Sequence, residues 1–205
     1  MLLKLFEAGE PVLRQASREL SRDEILSAAT QDLIASMYET MRAAPGVGLA
    51  APQIGLPLQV AVIEDRQEYI ANLSTDAVAE RLREPVSPHV IINPRISHIS
   101  RDEETSDAVP DRGAVFFEGC LSLPGFTAMV SRSLKVRVEC LNEHAEQVTI
   151  EAQGWYARIL QHEIDHLHGT MYIDRMLTRT FMGRENFDRY WKNVPVSEAR
   201  RLLGA

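Results

Sequence analysis

Apolar residues recur every four positions from Ile25 through Ala29, Leu33 and Met37 to Met41, with Leu26, Ile34 and Tyr38 alongside. This spacing predicts one long amphipathic helix. Ser21 and Glu24 read as a capping box at its start, and Pro45-Gly46 ends it near Ala44. The methionines on the stripe read as core filling. Ahead of it, Glu10 to Leu13 opens a short turn that lays Val12 and Leu13 on the core. After residue 57 the period shortens. Leu58 to Glu64 is apolar and β-branched, and His89 to Ile92 is a second such run, stopped by Asn93-Pro94. Leu134 to Leu141 alternates cleanly, Asn142 to Ala145 turns it, and Gln147 to Ala152 returns it. Residues 65–89 between these runs are more polar, hold a short helical patch from Asp76 to Arg83, and read as a surface excursion. Ile96 to Ser106 reads as an exposed charged hairpin and Asp111-Arg112-Gly113 as a turn. A helix begins at Gln153, and Gly169 sits where it would terminate. The tail places Phe187, Tyr190 and Trp191 on a helical segment and opens a last short helix at Ser197. Helix, strands, then helix predicts an α+β fold, its mostly antiparallel sheets packed around the second long helix. The 205 residues fit one domain, with about 179–205 as a C-terminal helical extension.

Composition narrows the class. Hydrophobic residues are 45% and charged residues 25% of the chain, an ordinary globular balance with enough material for a core. The formal net charge is −7 and no basic run occurs, which argues against direct DNA or RNA binding. No apolar stretch approaches the length needed to span a membrane. The start, Met1-Leu2-Leu3-Lys4-Leu5-Phe6, meets Glu7 and Glu10 too early for a signal peptide and lacks the look of a transit peptide. Cys120 and Cys140 make no disulfide framework, so the expected setting is a bacterial cytoplasm, or an organelle if the chain is a processed form.

The chemistry starts at Gln161-His162-Glu163-Ile164-Asp165-His166-Leu167-His168-Gly169. Residues four apart share a helix face, so His162 and His166 can aim at one metal ion, with Glu163 about 100° around, suited to the metal's water. Chance would give about 0.02 such H-E-x-x-H matches in a chain of this composition, so the motif is a good hypothesis but not a decisive one. A catalytic ion wants three protein ligands and an open position. Glu185 or Glu198 could supply the third, and so could Cys120, which lies in a loop-like segment. Cys120 also reads as a core thiol or as a nucleophile, whereas Cys140, inside a strand, reads as core. Asp165 is a candidate to orient a histidine ligand, or a helix-surface carboxylate. His168 falls off the ligand face and reads as a solvated helix end. The small-residue stretch from Gly46 to Gly55 is either a compact loop using glycine dihedrals or a loop whose backbone approaches a ligand, with Gln53 as a placed amide. Val47, Trp155 and Ile159 could line a side-chain pocket or simply pack the core.

Three stretches together carry a resemblance. Gly46-Val47-Gly48-Leu49-Ala50-Ala51-Pro52-Gln53, Glu118-Gly119-Cys120-Leu121-Ser122 and Gln161-His162-Glu163-x-Asp165-His166-Leu167-x-Gly169 resemble the three motifs of peptide deformylase, in that family's order, over roughly residues 1–180. The long excursion, Trp155 and Arg179-Thr180-Phe181 look more like the mitochondrial and plastid type and its bacterial relatives. The resemblance implies removal of the formyl group from N-formylmethionine on newly made polypeptides. It implies one divalent ion held by Cys120, His162 and His166, usually Fe²⁺ in the cell, with Zn²⁺, Ni²⁺ or Co²⁺ also suited to a thiolate and two imidazoles. A metal-activated water attacks the formyl carbon, Glu163 serving as general base and then acid. The Leu121 N–H and the Gln53 amide stabilise the oxyanion. Gly46 lets the loop run close to the peptide, Gly48 and Gly119 contact its backbone, and Val47, Trp155 and Ile159 line the methionine pocket. Glu118 braces the site through an arginine not identifiable from the sequence. Nascent chains imply a partner ribosome near its exit tunnel, and the aromatic tail could serve a homodimer. The rivals are a zinc endopeptidase, which needs a downstream acid ligand, and a binding-only or structural metal module, against which the intact Glu163 and Gln53 argue.

Overall fold

The computed structural model describes residues 1–71, 73–98 and 113–205. The charged hairpin expected up to Ser106 and the turn at Asp111-Arg112-Gly113 therefore fall largely outside the described residues. In chain order, a 3-10 turn at Pro11–Arg14 buries Leu13, and two helices follow, α1 (Arg22–Leu26) and α2 (Ala28–Ala43). The capping box is present: the Ser21 N–H donates to Glu24 Oε2 at 2.7 Å, and the Glu24 N–H donates to Ser21 Oγ at 3.3 Å. The single long helix is not. Ser27 breaks it in an extended conformation (φ −68°, ψ 146°), and its hydroxyl accepts from the Thr30 N–H to cap α2. A serine inside an apolar stripe can serve either role, and here local capping wins over propagation.

Strands β1 (Gly48–Ala50) and β2 (Val60–Asp65) come next, then short helices α3 (Gln67–Ile70) and α4 (Thr75–Arg81), and then β3 (Val86–His98). Next come β4 (Ala114–Cys120), β5 (Leu123–Arg132), β6 (Lys135–Leu141) and β7 (Gln147–Gln153). The chain then forms α5 (Gly154–Leu167), β8 (Met182–Gly183), α6 (Arg184–Tyr190) and α7 (Val196–Leu203), the last opening at Val196 rather than Ser197. Strand pairing is antiparallel throughout, in a larger sheet of order β1-β2-β3-β6-β7 and a smaller one of order β4-β5-β8.

Asn93-Pro94 does not stop β3. Asn93 takes φ +51°, the register against β6 shifts between Ile92 and Arg95, and the strand continues to His98. Asn tolerates the left-handed region, and a bulge is where a proline without an N–H fits a ladder. The Asn93 side chain closes the gap: Oδ1 accepts from the Leu20 N–H (3.0 Å) and Nδ2 donates to the Leu20 carbonyl (2.8 Å).

Successive side chains of a strand point to opposite faces, and here both faces of the larger sheet are covered. Val60, Val62, Val90 and Ile92 pack with Ile34, Met37 and Met41 of α2. Ala61, Ile63 and Ile91 pack on the other side with Ala157, Leu160, Ile164 and Leu167 of α5. This explains why β2 reads as a continuous apolar run. Helix α5 is buried nearly all round, and Arg158, Gln161, Glu163, Asp165 and His166 are buried with its apolar residues. Glycines mark its ends. At Gly154 (φ +61°) a Cβ would lie 2.6 Å from the Arg81 carbonyl oxygen, and at Gly169 (φ +72°) it would lie 2.8 Å from the Arg14 backbone. His168, between helix and glycine, is exposed. Cys140 is a buried thiol of β6. Among the described residues no helix is long and apolar enough to cross a membrane.

Asn93→Ala removes two hydrogen bonds to Leu20 and leaves alanine in a left-handed conformation. We expect a loss of roughly 2 kcal/mol in unfolding free energy, read from the urea midpoint at unchanged slope.

Candidate metal centre and its cavity

The H-E-x-x-H helix and the end of a strand build the centre. On α5, His162 and His166 share a face. Cys120 ends β4, where the register against β5 shifts after Glu118. That irregularity re-aims the thiol, so Cys120 sits at a strand end turning tightly through Leu121 and Ser122, not in a loop. Cys120 Sγ lies 3.1 Å from His166 Nε2, which lies 3.3 Å from His162 Nε2. The three ligand atoms all fall within 4.8 Å of one another. Bonds of metal-ligand length at tetrahedral angles place such atoms about 3.5 Å apart, so the donor set fits one ion. The alternative ligands Glu185 and Glu198 lie exposed on α6 and α7.

Charge around the centre is arranged in shells. Burial would raise the Cys120 thiol, but the neighbouring His166 and His162 draw it well below its usual range. Burial would lower His162, but the Cys120 sulfur and the Glu118 carboxylate hold it well above the usual imidazole range. His162 Nδ1–H donates to Glu118 Oε2 at 3.0 Å. The brace expected of Glu118 is two arginines: Arg132 donates through Nε and Nη2 (2.7 and 3.0 Å), and Arg158 donates through Nη1. Burial works against the charged carboxyl, yet Arg132 and His162 hold it well below the ordinary range. Asp165, the other candidate to orient a histidine, faces Arg132 (2.7 Å) and Arg175 (2.7 and 2.8 Å) instead. The carboxylate that orients His162 thus comes from β4 rather than from the helix. Arg132, Arg158 and Arg175 are the residues sequence reasoning missed. The available signal was Arg158, one turn before His162 on the same face of the helix.

Glu163 is buried, its Oε2 has no hydrogen-bond partner among the described residues, and burial pushes its carboxyl up. A buried carboxylate oxygen left open beside three converging ligands suits a water or substrate atom arriving with the ion. Gly48 makes room for it, since a Cβ there would lie 2.2 Å from Glu163 Oε1. The glycine is required by this close approach, not by its dihedrals. Gln53 is a fixed amide: Oε1 accepts from the Ala50 N–H at 2.8 Å, and Nε2 lies 3.4 Å from Cys120 Sγ and 3.3 Å from Ser122 Oγ.

A cavity of about 580 Å³ opens over the centre. Gly46, Val47, Gly48, Gln53, Gly119, Cys120, Leu121, Trp155, Ile159, His162 and Glu163 all line it, while His166 is buried behind. The polar excursion also belongs to the cavity: Leu73, Ser74, Ala77, Arg81 and Arg83 form part of its wall, with Arg83 pinned by a bidentate pair to buried Asp65 (2.8 and 2.9 Å). The C-terminal segment contributes Arg184, Phe187, Lys192 and Asn193.

An H-E-x-x-H helix with a cysteine converging on it places the chain among metal-dependent hydrolases. Residues 2–181 match the family model of polypeptide deformylase. The chain is 45% identical over 184 residues to peptide deformylase 1A, chloroplastic, of Solanum lycopersicum, covering 90% of this chain and 63% of that protein's length. It is 38% identical to peptide deformylase 3 of Streptomyces avermitilis, covering 98% of this chain and 84% of that one. A crystal structure of class I type b peptide deformylase from Acinetobacter baumannii with Met-Ala-Ser bound superposes with a TM-score of 0.71 at 29% identity, covering 86% of this chain and 99% of that one. The chain belongs to the polypeptide deformylase family, which is metal-dependent.

Thiol counting tests the ligand set. Metal-free protein should show one fast thiol toward a chromogenic disulfide, Cys120, while Cys140, buried and with its pKa pushed up to about 11, stays silent until unfolding. Metal loading should silence Cys120 too. A Cys120 that stays reactive in loaded protein would remove it from the ligands.

Proposed function

We propose that this chain hydrolyses the formyl group from N-formylmethionine at the start of newly made polypeptides, releasing formate. The observation that carries the reading is the convergence of Cys120 Sγ with the two Nε2 atoms of His162 and His166 beside the open, buried Oε2 of Glu163. Two edge strands flank this cavity among the described residues, β1 with Gly48 and β4 with Gly119. An extended peptide can run between them and use backbone hydrogen bonds there, while Val47, Trp155 and Ile159 receive the methionine side chain.

A divalent ion held by Cys120, His162 and His166 supplies Lewis acidity to the formyl oxygen and acidity to a water. Glu163, with its raised carboxyl pKa, takes the water's proton and later returns it to the leaving amine nitrogen. Gln53 Nε2–H and the Leu121 backbone N–H donate to the developing oxyanion, and the bond from Ala50 keeps the Gln53 amide from turning away. Glu118 fixes the orientation of His162 through Nδ1, and two arginines fix Glu118 in turn.

Iron(II) is the ion we assign in the cell, with zinc, nickel or cobalt as substitutes; one thiolate and two imidazoles suit all four. We assign the chain to the mitochondrial and plastid-like subtype, supported by the tomato relative, and to a bacterial cytoplasm, where free Cys120 and Cys140 remain reduced. Action on nascent chains brings it near the ribosomal exit. A homodimer would use Tyr190 and the stacked pair Phe126–Phe181, which are exposed.

The test is formate release from formyl-Met-Ala-Ser by protein loaded anaerobically with Fe²⁺. The parent should turn over, and Cys120→Ala should lose both metal and activity. Glu163→Gln should keep its metal and lose nearly all turnover; metal loss instead would make Glu163 a ligand. For Gln53→Ala we expect kcat to fall roughly 10²–10³-fold with little change in KM, and an unchanged kcat would remove it from the oxyanion site. No release by metal-loaded parent protein discards the reading.

A further inference from the structure

The two segments that the chemistry leaves unused, the excursion after β2 and the C-terminal segment, meet at the same cavity. Their charge there is one-sided. Among the described residues the cavity lining holds five basic residues, Arg81, Arg83, Arg158, Arg184 and Lys192, against two acidic ones, Glu118 and Glu163, in a chain whose net charge is −7. Both acids are committed to the metal centre.

Three of the cations crowd one indole. The guanidinium carbons of Arg81, Arg83 and Arg158 lie 5.9, 5.1 and 5.9 Å from the Trp155 ring centroid. Arg83 is neutralised by Asp65 and Arg158 by Glu118, both buried carboxylates. Arg81 is left over. It is half-buried, donates to the Ala77 carbonyl, and has as its ion partner its own neighbour Glu80 at 3.7 Å, whose side chain is 43% exposed. A half-buried guanidinium that keeps its charge without a close carboxylate among the described residues is a ready anion site, and cation–π contact with Phe116 (5.0 Å) and Trp155 (5.9 Å) helps to hold it in place. Trp155 and Phe116 also share a cluster with Trp191, Val194 and Val196, which fixes the segment carrying exposed Lys192 beside the same wall.

We propose that Arg81, assisted by Lys192, is a specificity-determining residue that reads a carboxylate carried by the substrate downstream of its methionine. This rests on the deformylase reading above. The carboxylate can be an Asp or Glu side chain in the residues after methionine or the free C-terminus of a short peptide.

The experiment compares kcat/KM for formyl-Met-Glu-Ala-amide and formyl-Met-Ala-Glu-amide with their Gln counterparts, and for formyl-Met-Ala-Gln as acid and as amide. Neutral amide peptides report the basic reaction, so failure of the deformylase reading would appear as no turnover of any peptide. The expected result is a preference of about fivefold for a carboxylate-bearing peptide in at least one pair, shrinking as salt rises from 50 to 500 mM. Gain in the Glu pairs assigns the side-chain source, and gain in the acid pair assigns the terminal one. Arg81→Gln should bring the ratio close to one, mainly through KM. Lys192→Gln, at an exposed position where folding is not at risk, should lower it partly. A ratio of one in the parent with every pair, or a ratio that neither substitution lowers, overturns the proposal.

Discussion

The carboxylate of Glu118 is the point on which the candidate centre rests. Two arginines and a histidine meet on it, and the carboxylate and both guanidiniums are buried away from water. Isolated, any one of them would cost several kcal/mol to bury; together they leave no charge unanswered. The arrangement converts a helix and a strand from different parts of the chain into one rigid fixture. Arg132 spans Glu118 of β4 and Asp165 of α5. The His162 ring of the candidate centre inherits its orientation from this fixture.

How much of this could be read from the chain depends on how local the cause was. The shared face of His162 and His166 is set by helical spacing alone, and the period-two runs of β6 and β7 by simple alternation, so both were legible. Cys120 was one candidate among three until the resemblance singled it out, because its aim is set by a register shift between two strands. Ser27 and Asn93 misled in opposite senses. A serine in an apolar stripe broke a helix, and an Asn-Pro pair failed to break a strand, since both residues found long-range or capping partners that spacing does not reveal. The arginine partners of Glu118 lay beyond reach for the same reason: pairing between residues 118, 132 and 158 is a property of the packed state.

Close approach decides several positions where side-chain chemistry would suggest nothing. Gly48 is the clearest, since Glu163 occupies the space a β-carbon would need. The polar excursion after β2 is a second case. Its composition marks it as surface, and its residues are indeed half-exposed, yet they form a wall. Surface position and functional position are not opposites when a cavity is open on one side.

The division of labour between the two sheets has a consequence for how the molecule is made. Cys120 is carried by the smaller sheet, whereas His162 and His166 ride on a helix that packs on the larger one. An ion bound to all three would therefore be a staple between two halves of the architecture, captured only after those halves have docked. Because such an ion would bind the assembled state and not its separate parts, metal supply during synthesis would set how firmly the finished protein is held together.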